Sequence, residues 1–78
     1  MLTIHNVKHK GWITGTQQET ISIDFYELFA DEDTDLPSDP YYFSTATQKY
    51  KIDTGSLAYI ISTGDVYMMK SDGTWVLQ

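Results

Sequence analysis

Alternate carboxylates at Asp31, Asp33 and Asp35 have the spacing with which a calcium loop begins, since such side chains can converge on one hard cation. The pattern then stops. Leu36 stands where the sixth position needs glycine, and Tyr42 stands where the twelfth needs a bidentate glutamate. The segment reads as a solvated acidic loop, and no metal or other cofactor is expected. His5 and His9 would share a face of a helix, but they fall on residues expected to be strand and turn, so they read as ordinary surface histidines. Serines and threonines are plentiful, yet there is no Gly-x-Ser-x-Gly elbow, no cysteine nucleophile and no phosphate-cradling glycine loop. The carboxylates lie mainly in a loop, a poor place to hold acid–base geometry. No catalytic activity is expected.

The elements that would position a site are strands. The 78 residues make one domain, 1–78, with an exposed acidic loop at about 31–40 that also holds both prolines. Residues 1–7 alternate, with Leu2 and Ile4 on one side and Thr3 and His5 on the other, as in a short strand. Lys8-His9-Lys10-Gly11 reads as a turn, and Trp12-Ile13-Thr14 as the start of a second strand. From Thr20 the alternation is cleanest: Ile21, Ile23 and Phe25 point one way, Ser22 and Asp24 the other. The continuation through 26–30 suits either more strand or one helical turn. Proline restricts the residue before it, so Leu36 and Asp39 should be extended. Tyr41-Tyr42-Phe43 and Tyr50-Lys51-Ile52 suit short strands.

Residues 55–78 read as two consecutive hairpins. β-Branched and aromatic runs are separated by Thr63-Gly64-Asp65 and by Asp72-Gly73, the pattern of a three-stranded antiparallel meander. The expected fold class is all-β, a small antiparallel, barrel-like sheet ending in that meander. If both gaps are two-residue turns, Lys70 pairs with Trp75, Met69 with Val76 and Ile61 with Met68. One face then carries Tyr59, Ile61, Met68, Lys70, Trp75 and Leu77, and the other Ala58, Ile60, Tyr67, Met69 and Val76. Both faces are largely apolar, whereas a sheet with one wet face should alternate. A spare apolar face on a cysteine-free chain this short points to a covering partner, another copy included. The residues expected to meet it are Tyr67, Met69, Trp75 and Val76, with Trp12 joining them.

The formal charge of −6, with five scattered lysines and no arginine, argues against a nucleic-acid surface. No apolar stretch approaches a membrane span and no signal peptide is evident, so neither a membrane nor secretion is expected.

Gly55-Ser56-x-Ala58, Thr63-Gly64-Asp65-x-Tyr67-Met68 and Asp72-Gly73-Thr74-Trp75 together resemble the C-terminal segment of small virion proteins of tailed bacteriophages, also found within phage fibre proteins. That resemblance covers about the last third of the chain. It implies a structural part of a virion, made in the host cytoplasm and assembled as a head decoration, head-fibre, head–tail or tail component through contacts with other virion proteins. Two alternatives of other classes stand beside it. Exposed aromatics on a sheet can stack on sugars, which would make a carbohydrate-binding module. Negative charge could mimic nucleic acid in an inhibitor, although here the acids cluster in one loop.

Overall fold

Two long strands carry the architecture. The computed structural model describes all 78 residues. Strands β1 (Leu2–Thr14) and β2 (Thr20–Ala30) form an antiparallel hairpin along their whole lengths. A 3-10 turn, Asp33–Asp35, follows, and then β3 (Tyr41–Ser44), β4 (Gln48–Ile52), β5 (Leu57–Ile60), β6 (Val66–Met69) and β7 (Trp75–Leu77). The fold is all-β, a curled sheet forming a half-barrel. It is mixed where an antiparallel sheet was expected, because β2 pairs in parallel with both β4 and β5.

The second edge of β2 is shared end to end. Its first half, Thr20 to Asp24, takes β4, and its second half, Glu27 to Ala30, takes β5. Between the two the chain leaves the ladder, and the buried Ser56 hydroxyl accepts the Tyr26 N–H at 3.0 Å. A side chain thus supplies the acceptor that the interrupted strand does not. From this fork β4 leads to β3 on one side and β5 to β6 and β7 on the other.

The expected turn at Lys8 to Gly11 is absent. β1 runs straight through it and slips register twice, between Ile4 and Asn6 and between His9 and Gly11. Each slip is a β-bulge, one extra residue that resets the alternation. As a result Leu2, Ile4, Val7, His9 and Trp12 all lie opposite Ala30, Leu28, Tyr26, Asp24 and Ser22 of β2, on the inner face. On β2 itself the alternation holds and runs as strand to Ala30, with Ile21 buried as well. Ser22, Asp24, Tyr26, Leu28 and Ala30 are buried inward, while Ile23 and Phe25 face outward and are only half-buried.

The core is Tyr26, Leu28, Ile52, Ala58 and Met69, with Leu2, Leu36, Tyr42, Tyr67 and Trp75 packed against it. Leu36 is extended, as the following proline requires, and anchors the otherwise exposed acidic loop to that core.

The terminal meander forms, in a different register. Met69 pairs with Trp75 and Met68 with Val76, one residue away from a two-residue turn at Asp72-Gly73. The turn holds three residues: Lys70 N–H reaches the Thr74 carbonyl, Gly73 N–H reaches the Lys70 carbonyl, and Gly73 is left-handed at φ +87°. That is the three-residue loop closed by a glycine bulge. The β5–β6 loop is also longer than expected, so Leu57 pairs with Met68 and Ala58 with Tyr67. That shift is an even number of residues and preserves the faces, whereas the one-residue slip at β7 exchanges Trp75 for Val76. Lys70 accordingly does not face Trp75; its ammonium lies 3.6 Å from Asp72.

Candidate functional site

The three bulges of the sheet surround one cleft. Two lie on β1 and the third is on β3, where the pairing passes from Tyr41 to Phe43 and leaves Tyr42 as the extra residue. Bulges re-aim side chains and recur beside binding sites. Here the β1 bulges bring Val7, His9 and Trp12 inward, and the β3 bulge brings Tyr42 and Phe43 in together. They line an open cleft of about 520 Å³, within the range of small-molecule sites, and Tyr50 of β4 closes its far wall. Tyr42 stacks on Tyr26 at 5.2 Å between ring centroids, and Trp12 lies 5.0 Å from His9. Trp12 and Phe43 remain 54% and 55% exposed at the rim.

The floor of the cleft is polar. Asp24 is 4% exposed, and its carboxylate accepts the Ser22 hydroxyl at 2.9 Å and the Tyr26 hydroxyl at 3.3 Å. His9 Nδ1 donates to Asp24 Oδ1 at 2.8 Å, and Ser22 Oγ sits 2.9 Å from the same ring nitrogen. Burial, then the neighbouring Asp24 charge and its hydrogen bond, pushes the Tyr26 phenol well above its ordinary range.

Serine, histidine and aspartate together invite comparison with a nucleophile relay, and the geometry is not that of one. A relay places the carboxylate on one ring nitrogen and the serine on the other, so that imidazole can take the serine proton. In this cleft both partners crowd Nδ1, and the Ser22 proton goes to Asp24. What the arrangement achieves is to orient His9 and hold a carboxylate in a largely apolar cleft.

The five residues expected to meet a partner do not share one face. Met69 is 2% exposed and belongs to the core. Tyr67 and Trp75 pack on that core from the inner face, while Val76 lies on the outer face and is exposed. Trp12 stands apart on the rim of the cleft. The two histidines diverge as well: His5 packs edge-on to Phe29 at 5.0 Å on the outer face, while His9 turns inward. His9 read as an ordinary surface residue because its partner becomes visible only with the bulged register. Of the alternate aspartates, Asp31 and Asp35 converge on the Met1 amine, and no group of three or more His, Cys, Asp or Glu side chains is placed to hold an ion.

No known protein-family model, curated protein or solved structure matches this chain.

Proposed function

We propose that this chain is a structural component of a tailed-phage virion, a head decoration, head-fibre, head–tail or tail protein, that acts through protein–protein contacts and performs no catalysis. The observation that carries the reading is the outer face of the meander. Leu57, Tyr59, Val66, Met68 and Val76 lie together there, half-buried to exposed. Phe29 of β2 extends the patch, its ring 5.4 Å from that of Tyr59. A continuous apolar patch on a small domain favours a covering partner. The hairpin segments that resemble virion proteins build this same meander, and of their residues Met68 lies in the patch.

The test is molar mass by light scattering across a concentration series, on wild type and on Met68→Lys/Val76→Lys, followed by capture on capsid and tail proteins. Oligomerisation or capture by the wild type, lost in the variant with its melting temperature kept, is the expected result. A wild-type monomer that binds no capsid or tail component sinks the proposal.

The carbohydrate-binding alternative has one observation in its favour, the exposed Trp12 and Phe43 on the cleft. Against it, the polar groups of the floor are already bonded to one another, leaving few acceptors for sugar hydroxyls.

A further inference from the structure

We infer that the bulge-built cleft is a binding site for a trimethylammonium group, the cationic head of choline and its esters. The cleft lies on the inner face of the sheet and the assembly patch on the outer face, so this site stands or falls independently of the virion reading.

Charge gives the first part of the argument. Asp24 is buried at the floor, and no lysine or arginine lines the cleft to balance it. Its donors are two hydroxyls and a ring N–H, which stabilise a carboxylate without supplying a fixed positive charge. A cation entering the cleft is attracted by that charge in surroundings poorer in water than the bulk.

The walls give the second part. Trp12, Tyr42, Phe43 and Tyr50 line the cleft together with Asp24, and aromatic faces attract cations through their ring quadrupoles. An open cleft lined by rings and a negative charge suits a cation that is large and apolar at its surface.

Hydrogen-bond capacity selects among cations. Lysine ammonium and guanidinium bring donors that must find acceptors when desolvated. Asp24 Oδ1 already receives His9 and Ser22, and Oδ2 receives Tyr26, with Ser22 within 3.0 Å of it as well. The carboxylate therefore offers charge and almost no free acceptor geometry. A quaternary ammonium has no N–H to satisfy, so it takes the attraction without leaving a donor unpaired. Its methyl groups meet the rings directly.

The experiment is a titration of the protein with choline chloride, followed through the backbone amide NMR shifts of Trp12 and Phe43 at about pH 8, above the usual imidazole range. Sodium chloride at equal ionic strength is the first control. The neutral isostere of choline, with carbon in place of nitrogen, is the second. Saturable shifts confined to the cleft are expected with choline, with the isostere and the unmethylated ammonium ion each binding at least about tenfold more weakly. Phosphocholine is titrated in parallel to learn whether the group arrives free or as a headgroup, and cleft-confined binding of either supports the site. Phe43→Ala and Trp12→Ala, at exposed positions outside the core, should each weaken choline about tenfold with the fold intact. Asp24→Asn should do the same, and the two rim variants keep the test decisive if loss of the floor charge unfolds the chain. Equal affinity for the neutral isostere would show an apolar cleft with no use for charge, and the absence of cleft-confined shifts with both choline and phosphocholine would likewise overturn the inference.

Discussion

Gln18 and Gly73 occupy the same place in two turns of one design. In the first, Gly15 N–H reaches the Glu19 carbonyl and Gln18 N–H reaches the Gly15 carbonyl, with Gln18 at φ +62°. In the second, Lys70 N–H reaches the Thr74 carbonyl and Gly73 N–H reaches the Lys70 carbonyl, with Gly73 at φ +87°. Both residues take the left-handed conformation that closes a three-residue hairpin, and only one of them is glycine.

That difference gives a paired prediction. A side chain in the left-handed region costs roughly 1–2 kcal/mol, partly offset in a glycine variant by the freer unfolded chain. Gln18→Gly should therefore raise stability by up to about 1 kcal/mol. Gly73→Ala should lower it by at least about 1–2 kcal/mol, because the added carbon also meets Pro40 Cβ at 3.0 Å. Urea midpoints at unchanged slope measure both. A stabilised Gly73→Ala protein would mean that the second turn is built differently.

The same turns show what was legible in the sequence. The strand from Thr20, the acidic loop and the meander follow from alternation, proline and glycine placement, whereas the bulged β1 read as two strands and a turn. Register did not follow, because Asp72-Gly73 supports a two-residue turn as readily as a three-residue one, and one residue exchanges Trp75 with Val76 across the sheet. The cleft was hidden for a related reason. Its β1 residues recur as Ile4, Val7, His9 and Trp12, a spacing of three, two and three that only bulges reconcile with a strand. Apolar outward positions at Ile23 and Phe25 then made the buried Ser22 and Asp24 look like a solvent face.

Ser56 has a defined role at the fork of the sheet. Its hydroxyl is the acceptor for the Tyr26 N–H where neither β4 nor β5 provides one. Ser56→Ala leaves that buried donor unpaired and should destabilise the chain by about 1–3 kcal/mol. Hydrogen exchange at the Tyr26 amide should accelerate more than at the Leu28 amide, which lies within the intact β2–β5 ladder. Equal acceleration at both would show a general loosening instead of a lost acceptor.

Tyr26 makes stability fall at high pH. Burial, then the Asp24 charge, holds its proton more tightly in the folded state than in the unfolded chain. A phenol raised in this way contributes fully below its unfolded value of about 10, and the contribution is lost as pH rises through the folded value. Stability should therefore decline above about pH 10, and Tyr26→Phe should flatten that decline. Chemical denaturation across the alkaline range, wild type against variant, measures it. An unchanged slope in Tyr26→Phe would assign the decline to other groups.

Trp75 separates core packing from partner binding. Its indole Nε1 is buried without a hydrogen-bond partner, an arrangement that costs free energy. Trp75→Phe removes the orphan donor together with some packing area, two effects of opposite sign, and should change stability by less than about 1 kcal/mol. Trp75→Asp instead places a charge against Met69 and Leu36 and should unfold the domain. Loss of assembly in Trp75→Asp would consequently say nothing about the interface. Met68→Lys/Val76→Lys, on the exposed outer face, should abolish assembly while keeping the melting temperature within a few degrees. If Trp75→Phe abolished assembly with its stability intact, the interface would lie on the inner side of the meander, beneath the acidic loop, and the outer patch would lose its role.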